Sequence, residues 1–96
     1  MSLLERPIAL GKLTGVIYDF ENVGDELPRH THGPEDVHIS IVARGRLHAV
    51  GDGWESVIEA GTVLDWEPGQ YHGFTALEPN SRLVNIVKGI SDGSQT

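Results

Sequence analysis

Glycine and proline break this 96-residue sequence about once every ten residues or less, and that spacing limits what the chain can form. A helix needs about ten or more uninterrupted residues, whereas a strand is complete in about five or six. The intervals between breakers therefore suit strands. Leu13–Phe20 is rich in β-branched and aromatic residues. In 37–43, Val37, Ile39 and Ile41 alternate with His38 and Ser40 before Arg44-Gly45 ends the run. Leu47–Val50 and Trp54–Ile58 flank Gly51-Asp52-Gly53, whose Asp-Gly pair suits a tight hairpin turn. Thr62–Trp66, Tyr71–Leu77 and Arg82–Val87 complete the set.

The segment from Glu21 to Arg29 reads as a polar loop, and residues 1–10 admit a weak helical reading that Pro7 interrupts. Short strands at roughly 8–12-residue spacing predict an all-β antiparallel sandwich or barrel. The length allows one domain, residues 1–96, with its barrel over about 13–89 and a polar tail at 90–96.

Charge and composition narrow the partners. Fourteen acidic residues against seven basic ones leave a net charge of −7, which a phosphate backbone would repel, so nucleic acid is not an expected partner. No apolar run reaches the ~20 residues that span a bilayer as a helix. The first seven residues carry neither a basic flank nor an apolar targeting core, and the expectation is a cytoplasmic protein with no membrane partner. Cysteine is absent, which removes disulfides, thiolate metal sites and a catalytic thiol.

Five histidines remain, three of them within nine positions: His30, His32 and His38. Residues two apart on a strand share a face, so His30 and His32 can converge, and a following antiparallel strand can bring His38 beside them. His72 opens a later strand. Neutral imidazoles converging in this way suit Zn, Cu, Fe, Ni or Mn. The competing reading makes them polar loop residues or hydrogen-bonding partners in the core. His48, between Leu47 and Ala49, is expected on the outer surface.

Gly24, five residues, His30-Thr31-His32, and then His38, six residues, Gly45 resemble the first motif of the cupin family. The stretch from Gly61 through Gly69-Gln70-Tyr71-His72 resembles the second, and the 15 residues from Arg46 to Ala60 match a short intermotif segment. The resemblance implies a double-stranded β-helix of about seven to ten short antiparallel strands. His38 stands where the family usually has a glutamate, after a gap one residue longer. Glu35 and Asp36 are alternative carboxylates, Glu67 takes a usual proline position, and Ala76 replaces the second motif's asparagine.

On that resemblance His30, His32, His38 and His72 form an all-histidine site for a divalent transition metal (Fe, Mn, Ni, Zn or Cu). Four neutral ligands leave the ion its full charge and favour an anionic ligand. Strand alternation adds Ser40 and Phe74 to the metal-facing side, with Phe74 equally readable as core. Trp66 and Tyr71 flank the second motif as rim or packing aromatics. Arg29 is the cation nearest the expected site, ahead of Arg44, Arg46 and Arg82. Asp65 joins Glu35, Asp36 and Tyr71 as a possible acid or base.

The implied functions are a small metal-dependent enzyme on a small molecule, dioxygenase-like or isomerase/lyase-like, or a non-catalytic ligand-binding or sensing module. The apolar face opposite His38 and the resemblance together imply a homodimer formed by strand addition.

Overall fold

The computed structural model describes residues 3–11, 13–30, 38–66 and 70–89, and the side chains of all of these except 10, 29, 30, 38 and 87–89. Nine strands run through them: β1 (Leu3–Leu10), β2 (Leu13–Phe20), β3 (Glu26–His30), β4 (His38–Arg44), β5 (Arg46–Gly51), β6 (Trp54–Glu59), β7 (Val63–Trp66), β8 (His72–Ala76) and β9 (Ser81–Gly89). No helix occurs among the described residues, and hence none long and apolar enough to cross a membrane. The all-β expectation holds, and most strands end within a residue or two of the alternation that signals them.

Five strands form one sheet in the order β1-β2-β9-β4-β7, and four form the other in the order β3-β8-β5-β6. All neighbours are antiparallel. The side-chain period of two sends Tyr18, Phe20, Val42, Leu47, Ala49, Phe74, Ala76 and Leu83 into the space between the sheets. Each large side chain sealed there contributes about 1.5–3 kcal/mol relative to exposure. Ser81, one of the inward positions of β9, accepts from the Arg46 amide at 3.2 Å and donates to the Glu78 carbonyl at 2.8 Å. It ties the sheets together where a side chain on Gly45 would overlap it.

Two segments differ from the sequence reading. Residues 3–10 form an edge strand, not a helix, paired with β2 from Leu3↔Phe20 to Leu10↔Leu13. An edge tolerates Pro7, which has no amide hydrogen to give a neighbour. The 21–29 loop contains most of β3, whose polar Glu26-Leu27-Pro28-Arg29 shows no apolar alternation. Its pairing is imposed from outside. Gly24 donates to the Ala76 carbonyl and Ala76 donates back to the Asp25 carbonyl, both at 2.9 Å. The Asp25 carboxylate accepts from the Asn22 amide at 2.9 Å and closes the turn before the strand. The tail at 90–96 lies outside the described residues.

Candidate functional site

Register brings positions 30, 38 and 72 to one end of the barrel. In the four-stranded sheet His30 pairs with His72, His72 with Gly51, and Gly51 with Trp54. In the five-stranded sheet His38 pairs with Trp66. Directly paired residues share a sheet face. His72 and Trp66 are both buried inside, so positions 30 and 38 fall on inner faces at the same end. The His30 and His38 side chains lie outside the described set, and so does that of Arg29. His32, Glu35, Asp36 and Glu67 lie outside the described residues altogether. Among the described residues no group of three His, Asp or Glu side chains comes together as a metal site.

The His72 ring is held on two sides. Its Nδ1 lies 3.1 Å from the Gln70 carbonyl oxygen. A carbonyl only accepts, so Nδ1 carries the proton and Nε2, sealed from solvent, presents the ring's lone pair. One face of the imidazole stacks on the Trp66 indole, centroids 4.4 Å apart and planes inclined by 20°. Trp66 in turn stacks on Trp54 at 5.5 Å and meets Phe74 edge-on at 6.1 Å. Gly51 makes the stack possible, because a side chain there would overlap the Trp54 indole.

The stack is also anchored to the five-stranded sheet. Trp66 Nε1 donates to Ser40 Oγ at 2.9 Å, and Ser40 donates to Asn85 Oδ1 at 2.6 Å. An indole nitrogen is a donor only, which fixes the direction of both bonds. Among the described residues, no hydrogen-bond partner meets the buried Asn85 Nδ2. Such a donor costs about 1–3 kcal/mol unless water or a ligand oxygen meets it.

Of the expected lining residues, Ser40 and Phe74 are buried inside and Tyr71 is exposed. Asp65 is exposed on the outer face of β7. His48 faces outward between buried Leu47 and Ala49, as expected, and lies 2.7 Å from Glu55. Arg44 and Arg82 gather round Asp19 on the outer face, and Arg46 lies 3.9 Å from Glu78. Trp54, Gly51 and Asn85 were not foreseen. Asn85 was accessible to the same alternation, two residues beyond Leu83 on a strand whose odd positions point inward. Outside the stack, Trp54 and Glu55 line an open depression of about 480 Å³ with Val50, Gly51 and Gly53.

The fold recurs among solved structures. An RmlC-like cupin protein from Desulfovibrio desulfuricans is 28% identical, with a TM-score of 0.75 over 88% of this chain and 80% of that one. The chain is a cupin-superfamily barrel. KdgF from Halomonas sp. is 22% identical, with a TM-score of 0.79 over 94% of this cupin and 81% of its own chain. A cupin 2 conserved barrel domain protein from Salinispora arenicola is 20% identical at a TM-score of 0.74, over 90% and 75% of the respective chains. No family model and no curated protein matches the cupin's sequence.

Proposed function

We propose that this cupin binds a divalent transition metal at the barrel end marked by His72, with His30, His32 and His38 as the other ligands, and acts there on a small anionic molecule. The observation that carries the reading is the His72 ring: its Nδ1–H is committed to a backbone carbonyl and its Nε2 lone pair is turned into the interior. A carbonyl partner on the far nitrogen is the usual support of a metal-ligating histidine. The paired positions 30 and 72, with 38 on the facing sheet, suit a nitrogen-only donor set. That set fits Fe, Mn, Ni, Cu or Zn better than Mg or Ca. When bound, the ion supplies Lewis acidity, or an electron-transfer centre if it is redox-active.

The chain's own residues orient the ligand and exclude water. Trp66 and Phe74 wall the site beside His72, and Ser40 holds Trp66 in place. A second reading, a binding or sensing module without turnover, draws support from the same interior. Among the described residues the rings against His72 are those of Trp66 and Phe74, which pack and do not exchange protons.

Elemental analysis of untagged protein tests the site. The expected result is about one equivalent of a single transition metal per chain. His72→Ala and His32→Ala should each lower the content at least tenfold, beyond the ~10–100-fold range's lower bound for outer-shell changes. Metal content equal to wild type in both variants overturns the assignment. Oxygen uptake or turnover across a panel of small organic anions separates the enzyme from the binding module.

A further inference from the structure

On the outer face of the five-stranded sheet, arginines from three strands gather over one carboxylate. Asp19 on β2 pairs with Arg82 on β9, Arg82 pairs with Arg44 on β4, and Arg6 stands on β1 one row away, opposite Ile17. Arg82 donates to both Asp19 oxygens, from Nε at 2.7 Å and from Nη2 at 3.2 Å. Arg6 Nη2 lies 3.6 Å from Oδ2, and Arg44 Nη2 lies 3.7 Å from Oδ1. The aspartate side chain is only 16% exposed, against 57% for Arg6 and 55% for Arg44. A sheltered anion thus sits beneath three cationic heads and neutralises one of them. Among the described residues no other carboxylate lies within ion-pair distance of the three.

The backbone departs from regularity to assemble this cluster. Past the pair Val42↔Leu83, an unbroken ladder would set Ala43 opposite Arg82. A register shift sets Arg44 there instead. Such a bulge interrupts the ladder and re-aims a side chain. Its product is two arginines directly opposite each other, which destabilises a sheet when no anion lies between them. Asp19 answers that need only in part, since Arg82 already engages both of its oxygens.

The heads are held, yet most of their donors stay open. A guanidinium carries five N–H groups. Arg82 commits two to Asp19, and Arg44 commits Nε to the Asn80 carbonyl at 2.7 Å. Arg6 approaches Asp19 only at ion-pair distance.

We propose that Arg6, Arg44 and Arg82 bind a phosphoryl dianion, either orthophosphate or the phosphate of a small monoester, with Asp19 ordering the three heads beforehand. A phosphate carries about −1.5 to −2 charges at pH 7 and several strong acceptor oxygens, matching the two positive charges that Asp19 leaves over. Planar guanidinium forks suit those oxygens in pairs. The adjoining row is aliphatic: Ile17, Val84 and Ile41 are half-buried and Val63 is exposed, so the carbon portion of a monoester has apolar surface to lie on. The net charge of −7 does not oppose this. Exposed charges are largely screened beyond about 8 Å at physiological ionic strength, and one phosphoryl group meets this cluster alone, whereas a nucleic-acid backbone spreads over a wide surface.

The test is an NMR titration of labelled protein with sodium phosphate, against sodium chloride at equal ionic strength. Backbone amides of residues 17–19 and 82–84 and the arginine Nε–H signals should shift saturably, with a Kd of about 1 mM or lower. Arg6→Gln and Arg44→Gln, both exposed, should keep the circular dichroism of wild type and each weaken binding about tenfold, the loss expected of one charge-assisted contact. Arg46→Gln changes net charge equally but lies by Glu78, and should leave the affinity unaltered. Phenyl phosphate binding more tightly than orthophosphate assigns the monoester, and the reverse order assigns the free ion. Acetate, with one charge, should bind more weakly than either. No saturable shift with either phosphate, shifts confined to the His72 end, acetate binding as tightly as phosphate, or equal losses in all three arginine variants overturns the proposal.

Discussion

The two ends of the barrel interior are built on the same strands and differ within two residues on each. At one end Val42 on β4, Leu83 on β9, Leu47 on β5 and Ala76 on β8 close an aliphatic core. One inward position further along, the same strands present Ser40, Asn85, Ala49 and Phe74, and then His72 and Gly51. The first end is held by area removed from water. The second is held by directed contacts: a stack of three rings, two hydrogen bonds in series and a histidine fixed by a carbonyl. A barrel can therefore confine its chemistry to one end while the other end supplies stability, and substitutions should separate the two.

The largest effect is expected at the aliphatic end. Leu83→Ala leaves a cavity in the core and should cost about 2–5 kcal/mol in chemical denaturation, with metal content per folded chain unchanged. A loss of metal at full folding would show that the ends are coupled. At the other end, Trp66→Phe keeps an aromatic ring against His72 but removes the donor to Ser40. It should cost about 1–3 kcal/mol, and metal affinity should fall with it. An unchanged affinity would mean that the stack does not position His72.

Smaller effects belong to the outside. Arg82, bonded to Asp19, holds that carboxyl below its usual range, aided by the charges of Arg6 and Arg44 and opposed by burial. A carboxylate with its pKa depressed by folding stabilises the protein above the unfolded-state value, and the gain is lost as pH falls through the folded-state value. Unfolding free energy measured from pH 7 downward should therefore decline through the acid range, and Asp19→Asn should flatten that slope. A wild-type slope in the variant would assign it to other carboxylates. The smallest change is His48→Ala, which removes an exposed contact to Glu55 and should alter stability by no more than about 0.5 kcal/mol. It should leave metal content untouched. Metal loss in that variant would move the site to the outer surface.

Legibility in the sequence followed the same division. Alternation marked β2 and β4 to β9 because inward apolar residues recur every second position. It failed at β1 and β3, where Pro7 or a run of polar residues hides the period and a neighbouring strand dictates the pairing. His72 was visible as a residue type at a motif spacing. Its supports were not. Trp54 reaches Trp66 only because Gly51 lacks a side chain, and that depends on two strands being brought into register. Asn85 carries no signal except a polar residue in an inward slot.

The sequence contains two tryptophans, and both belong to the stack that ends on His72. The molecule thus carries its own optical reporter in contact with the ring of interest. Indoles 5.5 Å apart share excitation, so their coupled signal in ultraviolet circular dichroism depends on the angle between them. A paramagnetic ion arriving at His72 would quench an emitter one ring away. Occupancy of the barrel end can then be followed in the unlabelled protein, by its native light emission alone.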